Sequence, residues 1–207
     1  MTEQIPGAPG AFTPSGGSSW NVDPETGRIT TVGLPGTDIF TDPGGESSQV
    51  TSTTLHNAAT LLTQAPDGDF QLSARVTVDF QEKFDAGVLF LRHNEKTWAK
   101  LCFEYSPDKD PMVVTVVNHG VSDDANAFVV DGQSIYLRVS RKGKVFVHHA
   151  SHDGKKWIFI RAFAFPYEDG PLEIGFEAQS PHGEGCAVVF EEPRLTSTTI
   201  SDFRNGS

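Results

Sequence analysis

From Asp69 to Phe80 apolar and polar side chains alternate without a break: Phe70, Leu72, Ala74, Val76, Val78 and Phe80 against Asp69, Gln71, Ser73, Arg75, Thr77 and Asp79. Successive side chains of a strand point to opposite faces, so this pattern makes a ribbon with one dry face. Wound as a helix, it would scatter the six apolar groups all round the cylinder. Similar runs follow at 84–92, 97–105, 112–119, 134–141, 144–150, 156–163, 172–180 and 186–191, with two earlier ones at 28–32 and 59–64. Turn dipeptides Lys142-Gly143, Asp153-Gly154, Asp169-Gly170 and His182-Gly183 lie between them, with Asp131-Gly132 ahead of Ser134. No helical period of ten residues or more interrupts the series. Short strands joined by such turns predict an all-β fold of two antiparallel sheets packed face to face, a jelly-roll β-sandwich of about eleven to fourteen strands. A closed barrel is the alternative this pattern leaves open.

At 207 residues one β domain is expected rather than two. A chain of that length buries about 70% of its unfolded surface, enough for a core without staples. Residues 1–19, rich in Pro, Gly and Ser, read as a flexible N-terminal arm, 20–196 as the jelly-roll domain and 197–207 as a short frayed tail. Residues 41–53 read as a long loop. The net charge of -11 disfavours nucleic acid and anionic membranes as partners. No apolar run is long enough for a spanning helix, and the first residues lack the basic and apolar segments of a secretory signal. Cys102 and Cys186, without CxxC spacing, read as buried thiols in a reducing compartment, so a cytoplasmic location is expected; a bridge between them stays open.

The segments FDAGVLF (84–90), WAKLCFEY (98–105), VVTVVNHGVSDD (113–124), LRVSRKGK (137–144), SHDGKKW (151–157) and AQSP (178–181) occur in order. Together they resemble the "regulation of enolase protein"-like family of concanavalin A-like lectin/glucanase jelly rolls. The likeness runs from Trp20-Asn21 through Asp38-Ile39-Phe40 and Asp69-Phe70 to about Leu195. The resemblance implies a sandwich with one convex and one concave sheet, and little about chemistry, since a shared fold does not carry function. Members of that family usually show Ser-Asp-Trp where this chain has Ser122-Asp123-Asp124, so an acid replaces an aromatic in that loop.

In the strand at 97–105, Trp98, Lys100, Cys102 and Glu104 share one face, and Ala99, Leu101, Phe103 and Tyr105 the other. Sugars offer C–H faces to aromatic rings and hydroxyls to fixed polar groups. Trp98 therefore reads as a stacking surface, and Lys100 with Glu104, about 13 Å apart along the strand, as hydrogen-bonding edges of one groove. A solvated outer face with a partly buried Trp is the bland alternative. In the strand at 172–180, Glu173, Glu177 and Gln179 share a face with Gly175. Gly175 stands where the jelly-roll glucanases carry an acid between two others, so their signature is missing. His148 and His149, neighbours on a strand, point to opposite faces and His152 lies in the turn before Asp153-Gly154, so at most two of the three could share a metal unaided. No nucleophile elbow or phosphate loop occurs. Arg138 and Arg161 lie within strands and are expected to pair with carboxylates of the chain, a ligand fork being the alternative, while Trp157, Phe159, Phe163 and Phe165 are expected to close the core.

Three readings follow. The first is a module that binds a carbohydrate or other polar small molecule on the concave sheet through Trp98, Lys100, Glu104 and Gln179, with Asp123 and Asp124 at the rim and no cofactor or metal. The second is an enzyme, a degenerate glycoside hydrolase or small-metabolite isomerase, with Glu104 or Glu177 as general acid or base. The third is a protein-interaction domain, which needs an exposed apolar patch.

Overall fold

The computed structural model describes residues 2–15, 17–45, 53–166 and 170–207. The loop read at 41–53 and the turn at Asp169 fall partly outside them. The described residues form no helix and the strands β1 (Glu3–Ile5), β2 (Ala8–Pro14), β3 (Trp20–Val22), β4 (Ile29–Gly33), β5 (Ile39–Phe40), β6 (Leu55–His56), β7 (Ala59–Gln64), β8 (Phe70–Asp79), β9 (Ala86–Asn94), β10 (Thr97–Tyr105), β11 (Pro111–His119), β12 (Ser122–Val129), β13 (Ser134–Lys142), β14 (Val145–Ser151), β15 (Ile158–Phe163), β16 (Glu173–Gln179) and β17 (Cys186–Thr196). They build a concanavalin A-like jelly-roll sandwich. One antiparallel sheet has eight strands in the order β1-β2-β7-β16-β9-β10-β11-β12, the other seven in the order β15-β14-β13-β8-β17-β4-β3; β5 and β6 pair apart from both.

The alternation that marks β8 does what it predicts: Phe70, Leu72, Ala74, Val76 and Val78 are buried in the core between the sheets, facing Leu89, Leu91, Ala99, Leu101, Phe103, Ile174 and Phe176. A second apolar cluster lies on the outer face of the eight-stranded sheet, built of Ile39, Ala58, Leu62, Ala86, Val88, Phe90, Trp98, Cys102, Val114 and Val116. That face is not open to water as an edge-to-edge sheet would leave it. The β5–β6 flap lies over it, held by Gly36 N donating to Ser180 O at 2.9 Å on one side and by Ser122 N donating to Thr41 O at 2.9 Å on the other.

Four expectations need correcting. Residues 3–14 are not an arm: β1 and β2 extend the eight-stranded sheet, and Phe12, wholly buried, packs with its ring centroid 6.1 Å from that of Phe176. Three apolar side chains, Ile5, Ala8 and Phe12, offset the ordering cost of a stretch whose composition suggested none would. The tail is likewise anchored, with Ile200 buried, Lys142 Nζ donating to Ile200 O at 3.0 Å and Arg138 Nη2 to Gly206 O at 2.6 Å. Ser122, Asp123 and Asp124, read as part of a loop, open the edge strand β12. Of the aromatic set, Phe165 joins the core and Phe163 packs against it, but Trp157 lies under the Arg138 guanidinium and Phe159 under that of Arg204.

Candidate functional site

Antiparallel register lays the outer face of the eight-stranded sheet out in rows. Glu173, Arg92, Trp98, Asn118 and Ser122 form one; Gly175, Phe90, Lys100, Val116 and Asp124 the next; Glu177, Val88, Cys102, Val114 and Asn126 a third; Gln179, Ala86, Glu104 and Met112 a fourth. Lys100 is 2% exposed and spends its ammonium within the chain: Nζ donates to Asp38 Oδ1 and to Gln179 Oε1, both at 2.8 Å. Gln179 Nε2 in turn donates to Phe84 O at 3.0 Å. Asp38 comes from the root of the flap, where its backbone is clasped by Asn57.

Burial alone would lower the Lys100 pKa, but the Asp38 carboxylate, with Glu177 and Cys102 behind it, reverses this and holds it above its ordinary value. The acids around it are driven the other way. Burial pushes Glu177 up to about 8, against the pull of Lys100 and with the repulsion of Asp38. Burial raises Glu104 well above the usual range, Lys100 opposing and Asp124, Asp38 and Glu177 reinforcing, and Asp124 is raised mainly by burial too. The Cys102 thiol is also pushed up by burial. Both carboxyl oxygens of Glu177 and the indole Nε1 of Trp98 are buried with no partner among the described residues.

Beside this network a cleft of about 430 Å³ opens between the flap and the sheet, lined by Ile39, Thr41, His56, Phe90, Arg92, Glu95, Lys96, Trp98 and Gly120. Phe90 and Trp98 meet at 6.0 Å between ring centroids, and Lys100 Nζ stands 5.9 Å from the Trp98 ring. Arg92 is held by Glu173 at 2.8 Å, and His56 Nε2 lies 3.2 Å from Thr41 Oγ1.

Of the residues singled out from sequence, Lys100, Glu104, Glu177, Gln179 and Asp124 share one electrostatic neighbourhood. Trp98 is 1% exposed, so it meets the cleft at its edge and is no open stacking surface; the flap residue Ile39 packs in the same cluster. Asp123 points the other way, opposite Val117, and pairs with Arg161 Nη2 at 2.9 Å across the end of the sandwich. Glu173 and Glu177 divide their roles, one an ion-pair partner and one a buried acid. His148 faces the core, its Nδ1 2.8 Å from Thr115 Oγ1, and His149 the opposite surface, Nε2 2.8 Å from Phe203 O. No group of three His, Cys, Asp or Glu able to hold a metal occurs among the described residues, and both cysteines are free. Sequence reasoning missed Asp38, His56 and the Arg92–Lys96 hairpin. A lone lysine among aromatics in a core-length strand was the available signal that a counter-ion must exist, not where.

Residues 17–198 match the model of a family described as "Protein of unknown function (DUF1349)". No curated protein matches the chain significantly. Among solved structures, a functionally unknown protein from Saccharomyces cerevisiae is similar at 24% identity and TM-score 0.71, over 88% of this chain and 97% of that one. The GH43 BlXynB protein from Bacillus licheniformis is similar at 12% identity and TM-score 0.64, over 91% of this chain but 36% of its own. An alginate lyase from Klebsiella pneumoniae is similar at 12% identity and TM-score 0.55, over 87% and 84%. The chain thus spans about a third of the GH43 protein, and at these identities the likeness is one of fold.

Proposed function

The chain belongs to the DUF1349 family, and from that premise we propose that it binds a neutral carbohydrate or similar polyhydroxylated ligand on the outer face of its eight-stranded sheet. The observation that carries the reading is the cleft of about 430 Å³ under the flap. Its size falls within the range of small-molecule sites. An apolar edge from Phe90 and Trp98 meets donors and acceptors from His56, Thr41, Arg92, Glu95 and Lys96, the mixture that ring C–H groups and hydroxyls require. The Lys100–Asp38–Gln179 network beneath fixes the flap to the sheet and so reduces the ordering cost of binding.

The test is a titration with a panel of neutral oligosaccharides, comparing the wild type with His56→Ala and Lys96→Ala, two variants at the wall of the cleft. Each should weaken binding about tenfold, ~1.4 kcal/mol, with the melting temperature unchanged. Unaltered affinity in both, or no binding by any member of the panel, refutes the reading.

A second reading is favoured by Glu177, a buried acid that keeps its proton near neutrality and has no partner to hold it, as a general acid must. The other sequence-derived acid, Glu104, stands two strands away and one row further along, about 12 Å between backbones, too wide for the 5–5.5 Å pair of a retaining glycosidase unless both side chains lean together. Binding therefore stands ahead of turnover.

A further inference from the structure

The other sheet has a site of its own. On the outer face of the seven-stranded sheet Arg138, Ser73 and Arg194 stand side by side in register across β13, β8 and β17. Arg194 reaches this face only because β17 carries a bulge. From Cys186 to Phe190 the even-numbered residues point inward; after Glu192, whose φ is 51°, the register shifts and Pro193 and Leu195 turn inward instead. One extra residue reverses the parity of everything beyond it, and such bulges serve to re-aim side chains.

Arg138 is 7% exposed, and among the described residues no carboxylate pairs with it. Its guanidinium lies 4.1 Å over the Trp157 ring, Nη2 donates to Gly206 O at 2.6 Å, and Nε is buried without a partner. A buried, uncompensated charge is costly. Consistent with that cost, burial pulls the Arg138 pKa down to about 10. Arg138 lines a cavity of about 410 Å³ shared with Arg194 and Lys155, and with the hydroxyl and amide groups of Ser73, Gln71 and Thr196. Two acids also line it, each engaged in the wall. Asp153 Oδ1 accepts from the backbone N–H of Lys155 and Lys156 at 2.8 Å, and Glu192 Oε1 accepts from Tyr136 at 3.1 Å. Three cations over one surface are notable in a chain of net charge -11.

We propose that this cavity is a second ligand site, for a sugar acid whose carboxylate sits between Arg138 and Arg194 and whose hydroxyls meet Ser73, Gln71 and Thr196. A planar carboxylate fits the guanidinium fork, which an ammonium or a lone hydroxyl would not exploit. The site is separate from the cleft of the proposed function, on the opposite sheet.

The three tryptophans make the two sites distinguishable. Trp157 lines this cavity and Trp98 the other cleft, so each indole N–H resonance reports one site. Glucuronate should move the Trp157 signal and leave Trp98 unmoved, while glucose, which has a hydroxymethyl in place of the carboxylate, should move Trp157 far less. Arg194→Gln, at an exposed position, should weaken glucuronate binding at least about tenfold with an unchanged melting temperature. Arg138→Lys, which keeps the charge and loses the fork, should weaken it as well. An immobile Trp157 signal, an equal response to glucose, or wild-type affinity in Arg194→Gln overturns the proposal. None of these bears on whether neutral sugars move Trp98.

Discussion

Glu177 is a carboxylic acid that the fold keeps protonated near neutrality, and replacing it by glutamine turns that statement into a measurable pH profile. Burial holds the folded-state pKa at about 8 against an ordinary 4.5. Between those values the unfolded chain has released a proton that the folded chain retains. Stability associated with this group is therefore complete below about 4.5 and is lost as pH rises to 8. Each pH unit in that window is worth about 1.4 kcal/mol, and the whole gap about 5 kcal/mol. The buried histidines act in the opposite direction: burial lowers His148 to about 3 and His149 to about 4 from 6.5, so they withdraw stability as pH falls below 6.5. Above pH 6.5 the histidines no longer offset Glu177, and wild-type stability is expected to decline toward 8, with Glu104, also raised by burial, acting in the same direction. Glu177→Gln removes this group's share of the alkaline decline and leaves the acid limb in place. Urea unfolding at a series of pH values reads this as a difference between variant and wild type. A constant offset of about 1–3 kcal/mol is expected from the buried amide N–H groups. On top of it the variant should gain about 1.4 kcal/mol per pH unit up to 8. A difference that does not change with pH would mean that Glu177 is already ionised in the folded protein, paired with Lys100, and would refute the reasoning.

Two further outcomes follow from burial. Lys100→Met strips Asp38 of its partner under the flap and should cost about 3–5 kcal/mol in urea unfolding, with much of the loss recovered when Asp38→Leu is added; equal losses in single and double variants would deny that the pair is coupled. Phe12→Ala should cost about 3–5 kcal/mol although it lies among the first residues of the chain, and an unchanged unfolding midpoint would show that β2 contributes nothing to the core.

What was legible in the sequence was whatever repeats with period two. The runs at 59–64 and 97–105 coincide with β7 and β10, and the alternation at 70–79 sorts its side chains as the strand does. What was not legible breaks that rhythm. The strand β17 was expected to stop at Glu191 because the alternation fails there, yet it runs on to Thr196 with its parity reversed by the bulge. The strand β12 opens on Ser122, Asp123 and Asp124 and is exposed at most positions, because it is the sheet's edge and one of its flanks meets water, so it has no dry face to announce it. β1 and β2 are hidden by the Pro and Gly in and around β2, which composition assigns to loops; β2 pairs with β7 only at Thr13 and Pro14, so Pro9 and Gly10 interrupt no ladder on that side.

The site followed the same logic at one remove. The sequence places Trp98, Lys100 and Glu104 on one face of β10, and the register confirms that shared face, but exposure is decided by the flap, and the flap belongs to residues about sixty positions earlier. Periodicity reports which side chains leave the core together; it is blind to what another segment lays over them. A lysine on such a face has two physical outcomes, solvation or a counter-ion, and Asp38 supplies the second. With its charge satisfied internally, Lys100 acts as the rivet that holds flap to sheet. The cleft is bordered instead by groups the alternation never marked, His56 on the flap and Arg92, Glu95 and Lys96 around the β9–β10 turn, with the acid Glu177 buried on the same sheet face.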